Sequence, residues 1–209
     1  CRDRELRMKQ LGVLLSGRGS NFEAIARCIE TGQLDAAIAV VISNRAEAPG
    51  LETARARGLK AVHIPSKGLE REAYDALLVQ EMQAHQVDLV CLAGYMRLLS
   101  ASFVRAFPMR ILNIHPSLLP AFPGLDAQQQ AFDYGVKVTG CTVHFVDKGV
   151  DTGPVILQAA VPVLEGDDEE RLSARILDKE HELLPKAVAL LAANRLPVSG
   201  RYVRIRTKD

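Results

Sequence analysis

Arg110-Ile-Leu-Asn-Ile-His-Pro-Ser-Leu-Leu-Pro120 is the stretch that decides how the chain is read. An apolar run carries Asn113 and His115, and Pro116-Ser117 breaks it. Strand side chains alternate between faces, so Asn113 and His115 share one face near the C-terminal end of a strand. In open α/β sheets, ligands bind outside the carboxyl ends of the strands. That face can therefore offer an amide and an imidazole to the same substrate atom. A strand that merely ends in a hydrogen-bonded core histidine would show the same His115. The added amide and the stiff His-Pro exit favour chemistry.

Upstream of this stretch, residues 11–15, 36–42, 60–64 and 87–94 read as strands that are apolar on both faces. Helical patterns fall between them, at 22–29, at 51–57 and at 70–85, where Ala73, Leu77, Leu78 and Met82 recur at helical spacing. A helix capped by Ser100 runs on to Phe107. Strand and helix in alternation predict a doubly wound, mainly parallel α/β sheet of Rossmann-like type.

Downstream the pattern changes. A loop at 120–124 and a helix over 126–132 lead to two extended runs, 136–146 and 154–163, with no helix between them. Their short connection, 147–153, predicts an antiparallel C-terminal strand pair. A long C-terminal helical segment over 168–194 follows, which Pro185 is expected to kink or split, and 201–206 reads as a short edge strand.

With 209 residues the chain is long enough for one large α/β domain. Lys and Arg (26) balance Asp and Glu (25), which gives no reason to expect nucleic acid as a partner. No apolar run is long enough to span a bilayer, and the first residues carry no signal-peptide core. Met8 stands just before the first strand, so 8–209 reads as a single domain and 1–7 as an N-terminal extension. Cys1, Cys28, Cys91 and Cys141 are scattered without zinc spacing, and the five histidines form no HExxH pattern. The expectation is a cytoplasmic, reduced, metal-free protein, with Cys91 a core thiol.

Ser16-Gly-Arg-Gly-Ser-Asn21 lies between the first strand and the first helix, where free backbone N–H groups can hold an anion. A dinucleotide fingerprint would need glycine where Phe22 stands, and a P-loop would need Gly-Lys-Ser/Thr. The turn therefore suits one phosphate monoester, with Ser20 or Asn21 able to cap the helix. A plain tight βα connection accounts for the same residues. Asp151, in the loop between the two extended runs, is a further polar group at a plausible strand end. An Asp beside a His orients the ring and favours imidazolium, and imidazolium with an amide steadies an oxyanion. A surface hairpin aspartate is the alternative. Nothing resembles an activated nucleophile, so direct attack of one bound substrate on another is the expected chemistry.

The order Ser16–Asn21, Ala93-Gly-Tyr-Met-Arg-Leu-Leu-Ser100, Asn113-Ile-His-Pro-Ser-Leu-Leu-Pro120, Pro123-Gly-Leu125 and His144-Phe-Val through Asp151-Thr-Gly-Pro-Val-Ile-Leu-Gln158 resembles the folate-dependent formyltransferases, over about residues 10 to 195. The resemblance implies that 10-formyltetrahydrofolate, as co-substrate, gives its formyl group to the amine of 5′-phosphoribosylglycinamide in purine synthesis. By the same resemblance Asn113, His115 and Asp151 are the catalytic amide, imidazole and carboxylate. Gly19, Ser20 and Asn21 match the phosphate turn, and Glu180 the acid that holds the ribose hydroxyls. Arg71, Met96, Arg97, Leu98 and Leu99 match the folate pocket, together with Asn113 and the loop Asp147, Lys148, Gly149, Val150 and Asp151. Arg18 stands where the motif varies and is unassigned. Within the family, methionyl-tRNA formyltransferases add a C-terminal nucleic-acid-binding domain and deformylases an N-terminal regulatory one. Neither extension is expected here, and a hydrolase that passes the formyl group to water is the alternative activity. The implied partners are the two small substrates, with no membrane or nucleic acid; a homodimer is left open.

Overall fold

The computed structural model describes residues 7–207. The extension expected at 1–7 lies outside the described residues except for Arg7, whose guanidinium meets the Asp88 carboxylate at 2.9 and 3.0 Å. The hydrogen-bonded strand order of the main sheet is β3 (Ala61–His63), β2 (Ala36–Ser43), β1 (Lys9–Leu15), β4 (Leu89–Leu92), β5 (Ile111–His115), β6 (Val138–Phe145), β7 (Val155–Pro162). The chain forms two compact units, one ending at Ile111 and the other beginning at Leu112.

In the first unit β1 (Lys9–Leu15) runs parallel to β2 (Ala36–Ser43) on one side and β4 (Leu89–Leu92) on the other, and β3 (Ala61–His63) pairs with β2. Leu11, Val13, Leu14 and Leu15 are fully buried, as strands apolar on both faces require. The helices of this unit are α1 (Ser20–Glu30), α2 (Pro49–Ala56), α3 (Arg71–Ala84) and α4 (Ala101–Ala106). The Ser100 side chain accepts from Phe103 N and caps α4, as the sequence predicts. Met82 of α3 approaches β1 so closely that a Cβ on Gly12 would lie 2.2 Å from its sulfur. A larger residue there would force the Met82 side chain to move.

The buried face of α3 differs from the one expected. Tyr74, Asp75, Leu78 and Met82 are buried, whereas Ala73 and Leu77 are exposed. The stripe from Tyr74 through Leu78 to Met82 steps by four residues along one face, and Leu77 sits about 100° round the helix from it. Tyr74 was hidden from an apolar count by its hydroxyl, which donates to the Ile64 carbonyl at 2.8 Å.

In the second unit β5 (Ile111–His115) pairs antiparallel with β6 (Val138–Phe145), and β6 with β7 (Val155–Pro162). The C-terminal antiparallel pair is therefore present as predicted. α5 (Ala127–Tyr134) ends on left-handed Gly135. α6 (Glu169–Ala192) is one helix of 24 residues, so Pro185 does not split it. Leu184, Pro185, Ala187 and Val188 are all buried, and their packing carries the helix through that turn. The expected edge strand at 201–206 shrinks to β9 (Tyr202–Val203), which pairs with β8 (Val198–Ser199) in a sheet of its own. Gly200, with φ +60°, turns the chain straight back on itself. Among the described residues, no helix is long and apolar enough to cross a membrane.

Candidate active site

The glycine turn in the first unit is pinned by Ser16. Its hydroxyl donates to Asn44 Oδ1 at 2.7 Å and accepts from Met96 N at 3.0 Å, while Ser16 N donates to the Gly94 carbonyl. The residues after β1, β2 and β4 are thereby tied together at the strands' carboxyl ends. Gly19 occupies the N-cap of α1 with φ +71°, and no side chain caps this helix. The expectation that Ser20 or Asn21 caps it is corrected: both are already helical, and a cap acts from the position before the first helical residue. The turn borders a cavity of about 250 Å³, lined among others by Gly19, Ser20, Asn21, Arg18, Arg45 and Met96. Backbone N–H groups, a helix N-terminus and two arginines suit a small anion.

In the second unit the β5–β6 register sets Asn113 opposite His144 and His115 opposite Thr142, so all four side chains share one face. His115 is buried, with Nε2 2.8 Å from the Phe122 carbonyl and Nδ1 3.4 Å from Asp151 Oδ2. Both partners are acceptors, so Nε2 donates to the carbonyl while Nδ1 faces the carboxylate. Asp151 Oδ2 also accepts from Gly124 N at 2.8 Å, and its Oδ1 lies 3.6 Å from His144 Nε2. Burial by itself would raise the Asp151 carboxyl. His144, the Gly124 N–H and the charge of His115 outweigh it and hold the carboxyl below its ordinary value.

His144, which the sequence shows only as part of the His144-Phe-Val motif, is a further member of the group. Its Nδ1 donates to the Phe145 carbonyl at 2.9 Å, which aims Nε2 at Asn113 Nδ2, 3.4 Å away, and at Asp151. The signal for it was the β5–β6 register, which a single sequence does not print. Both partners of His115 come from residues in left-handed backbone, Phe122 with φ +50° and Asp151 with φ +53°. Each such non-glycine conformation costs on the order of 1–3 kcal/mol and persists only where surrounding contacts hold it.

The remaining expected residues fall in both units. Arg71 opens α3 and is exposed; Met96 and Leu98 are exposed, and Leu99 is half-buried. Arg97 stacks over the Tyr74 ring, 4.9 Å from its centroid. Asp147 accepts from Gly149 N and Thr152 Oγ1, which closes the 147–152 loop on itself, and Lys148, Gly149 and Val150 are exposed. Glu180 is buried on α6. Burial pushes the Cys91 thiol up to about 12 and, with the charge of Glu180, does the same to Cys141. Neither thiol is a nucleophile at neutral pH.

An α/β sheet with an Asn–His–Asp group beside the carboxyl end of β5 is an arrangement suited to polar group transfer. The chain belongs to the formyl transferase family, whose model matches residues 9–188. It is 46% identical over 186 residues to the phosphoribosylglycinamide formyltransferase of Escherichia coli, covering 88% of this chain and 87% of that one. It is 49% identical over 188 residues to the trifunctional purine biosynthetic protein adenosine-3 of Drosophila melanogaster, of which it spans 14%. Among solved structures, glycinamide ribonucleotide transformylase 1 from Symbiobacterium toebii superposes with a TM-score of 0.93 at 58% identity, over 95% of this chain and 94% of that one. A formyltetrahydrofolate deformylase from Pseudomonas syringae is similar at 28% identity and TM-score 0.89, over 96% of this chain and 67% of that one.

Proposed function

We propose that this chain transfers the formyl group of 10-formyltetrahydrofolate to the amine of 5′-phosphoribosylglycinamide, in the cytoplasm, with residues 8–209 acting as one formyltransferase domain. The observation that carries the reading is His115 held between the Phe122 carbonyl and Asp151, with Asn113 on the same face. The substrate amine attacks the formyl carbon, a C–N bond forms and the carbonyl electrons move onto oxygen. The Asn113 amide donates to that oxyanion, and the positive charge of a protonated His115 steadies it. Asp151 orders the proton's path from the attacking nitrogen, the bond to the folate nitrogen breaks, and that nitrogen takes up one proton. The proton lost by one nitrogen is gained by the other, so the enzyme returns unchanged.

Gly19, Ser20 and Asn21 hold the phosphate in this reading, and Glu180 the ribose hydroxyls. Arg71, the Met96 to Leu99 stretch and the loop Asp147 to Asp151 hold the folate. The test is His115→Ala. Turnover should fall on the order of a hundredfold or more while the phosphorylated substrate still binds. Near-normal turnover would remove His115 from the mechanism.

A further inference from the structure

The segment after β5 leaves the strand at His115 and folds back over it. Ser117, fully buried, donates its hydroxyl hydrogen to the Ala121 carbonyl at 2.6 Å, with the Phe122 carbonyl also within reach at 3.2 Å. Ala121 N closes the turn on the Leu118 carbonyl at 3.1 Å. The same segment supplies the acceptor for His115 Nε2, the Phe122 carbonyl, and the donor to Asp151 Oδ2, Gly124 N. One short loop thus holds both members of the His–Asp pair from the main chain.

The loop's base is tied down in turn. Thr142 Oγ1 donates to the Ser117 carbonyl at 2.7 Å and accepts from Leu119 N at 3.1 Å and from Gln158 Nε2 at 3.0 Å. Gln158 also donates to the Leu119 carbonyl. With its base anchored, the loop's tip is set by the Ser117 hydroxyl. That tip carries Phe122 in a backbone conformation L side chains rarely adopt, with its carbonyl directed at the imidazole.

We infer that Ser117 is a positioning residue for the transfer reaction: its hydroxyl fixes the 121–122 carbonyls, and through the Phe122 carbonyl it holds the His115 Nε2 proton and sets which way the ring faces. The inference rests on the function proposed above. Without the hydroxyl, Phe122 is free to leave the left-handed region, and the Nε2 proton loses its buried acceptor. Displacing a reacting group by an ångström costs up to about a hundredfold in rate.

The experiment uses Ser117→Ala, His115→Ala and the double variant in the full chain. Ser117→Ala should lower kcat on the order of tenfold to a hundredfold with KM for both substrates nearly unchanged. On the His115→Ala background the same substitution should have almost no further effect, because it acts through that imidazole. In ¹⁵N NMR the His115 Nε2–H, slow to exchange in the parent, should exchange with solvent in Ser117→Ala. Losses that multiply independently, or an unchanged Nε2–H signal, would reduce Ser117 to an ordinary loop contact. If His115→Ala alone were fully active, the proposed function would fail instead, and the NMR signal would still decide whether Ser117 clamps the ring.

Discussion

Asp151 is the residue on which most of the site's electrostatics converge. It lies 3.4 Å from one imidazole and 3.6 Å from another, accepts a backbone N–H, and sits in left-handed backbone. Asp151→Asn keeps the size and deletes the charge that pairs with His115. Turnover should fall by about two orders of magnitude, as for a lost proton-transfer partner. Steady-state kinetics checks this, and full activity would leave Asp151 a loop aspartate. The contact between Asp151 and His115 could be guessed from residue types, but only the fold brings them together. His144 was not legible as a member of the group, because its membership depends on standing opposite Asn113. At the phosphate turn the residue that matters is Gly19: a Cβ there meets Leu15 Cδ2 at 2.9 Å and would have to accept φ +71°. Gly19→Val should therefore weaken the ribonucleotide far more than the folate. Calorimetry that found the folate lost and the ribonucleotide untouched would reverse the assignment.

At the scale of elements, buried parallel strands were the most legible feature, because a strand covered on both faces needs an unbroken apolar run. Leu11 to Leu15 meets that demand without a polar interruption. Helix faces were harder to read: on α3 the buried set includes Tyr74 and Asp75, whose polarity masks the stripe. The long α6 is also held at its start, away from Pro185. At its start Asp167 binds Arg175 through two hydrogen bonds of 2.8 and 2.9 Å and accepts from Leu164 N at 2.7 Å. The Arg175 guanidinium, with the Leu164 N–H, pulls the Asp167 carboxyl down to about 2. A carboxyl lowered in the folded state adds stability that is complete above its ordinary range and is lost as pH falls through the folded value. Arg175→Ala should remove that contribution. Urea denaturation should therefore show a deficit for the variant near neutral pH that closes as both proteins approach pH 2. A deficit of equal size at every pH would mean that Arg175 acts through packing instead.

For the whole molecule, the sheet and the antiparallel pair followed from periodicity, whereas the activity did not. Periodicity and charge lead only as far as a phosphate-bearing substrate and carbonyl chemistry; the ordered motifs shared with formyltransferases supply the rest. Of the small C-terminal hairpin only β9 was expected, within a longer edge strand over 201–206; β8 escaped because a strand of two residues leaves no periodic trace. The central claim is that the formyl group goes to an amine and not to water. The direct measurement follows 10-formyltetrahydrofolate consumption by the full chain with and without 5′-phosphoribosylglycinamide, and identifies the formylated product. Consumption that requires the ribonucleotide and yields the formylated amide matches the account; equal consumption without it, releasing formate, would contradict it.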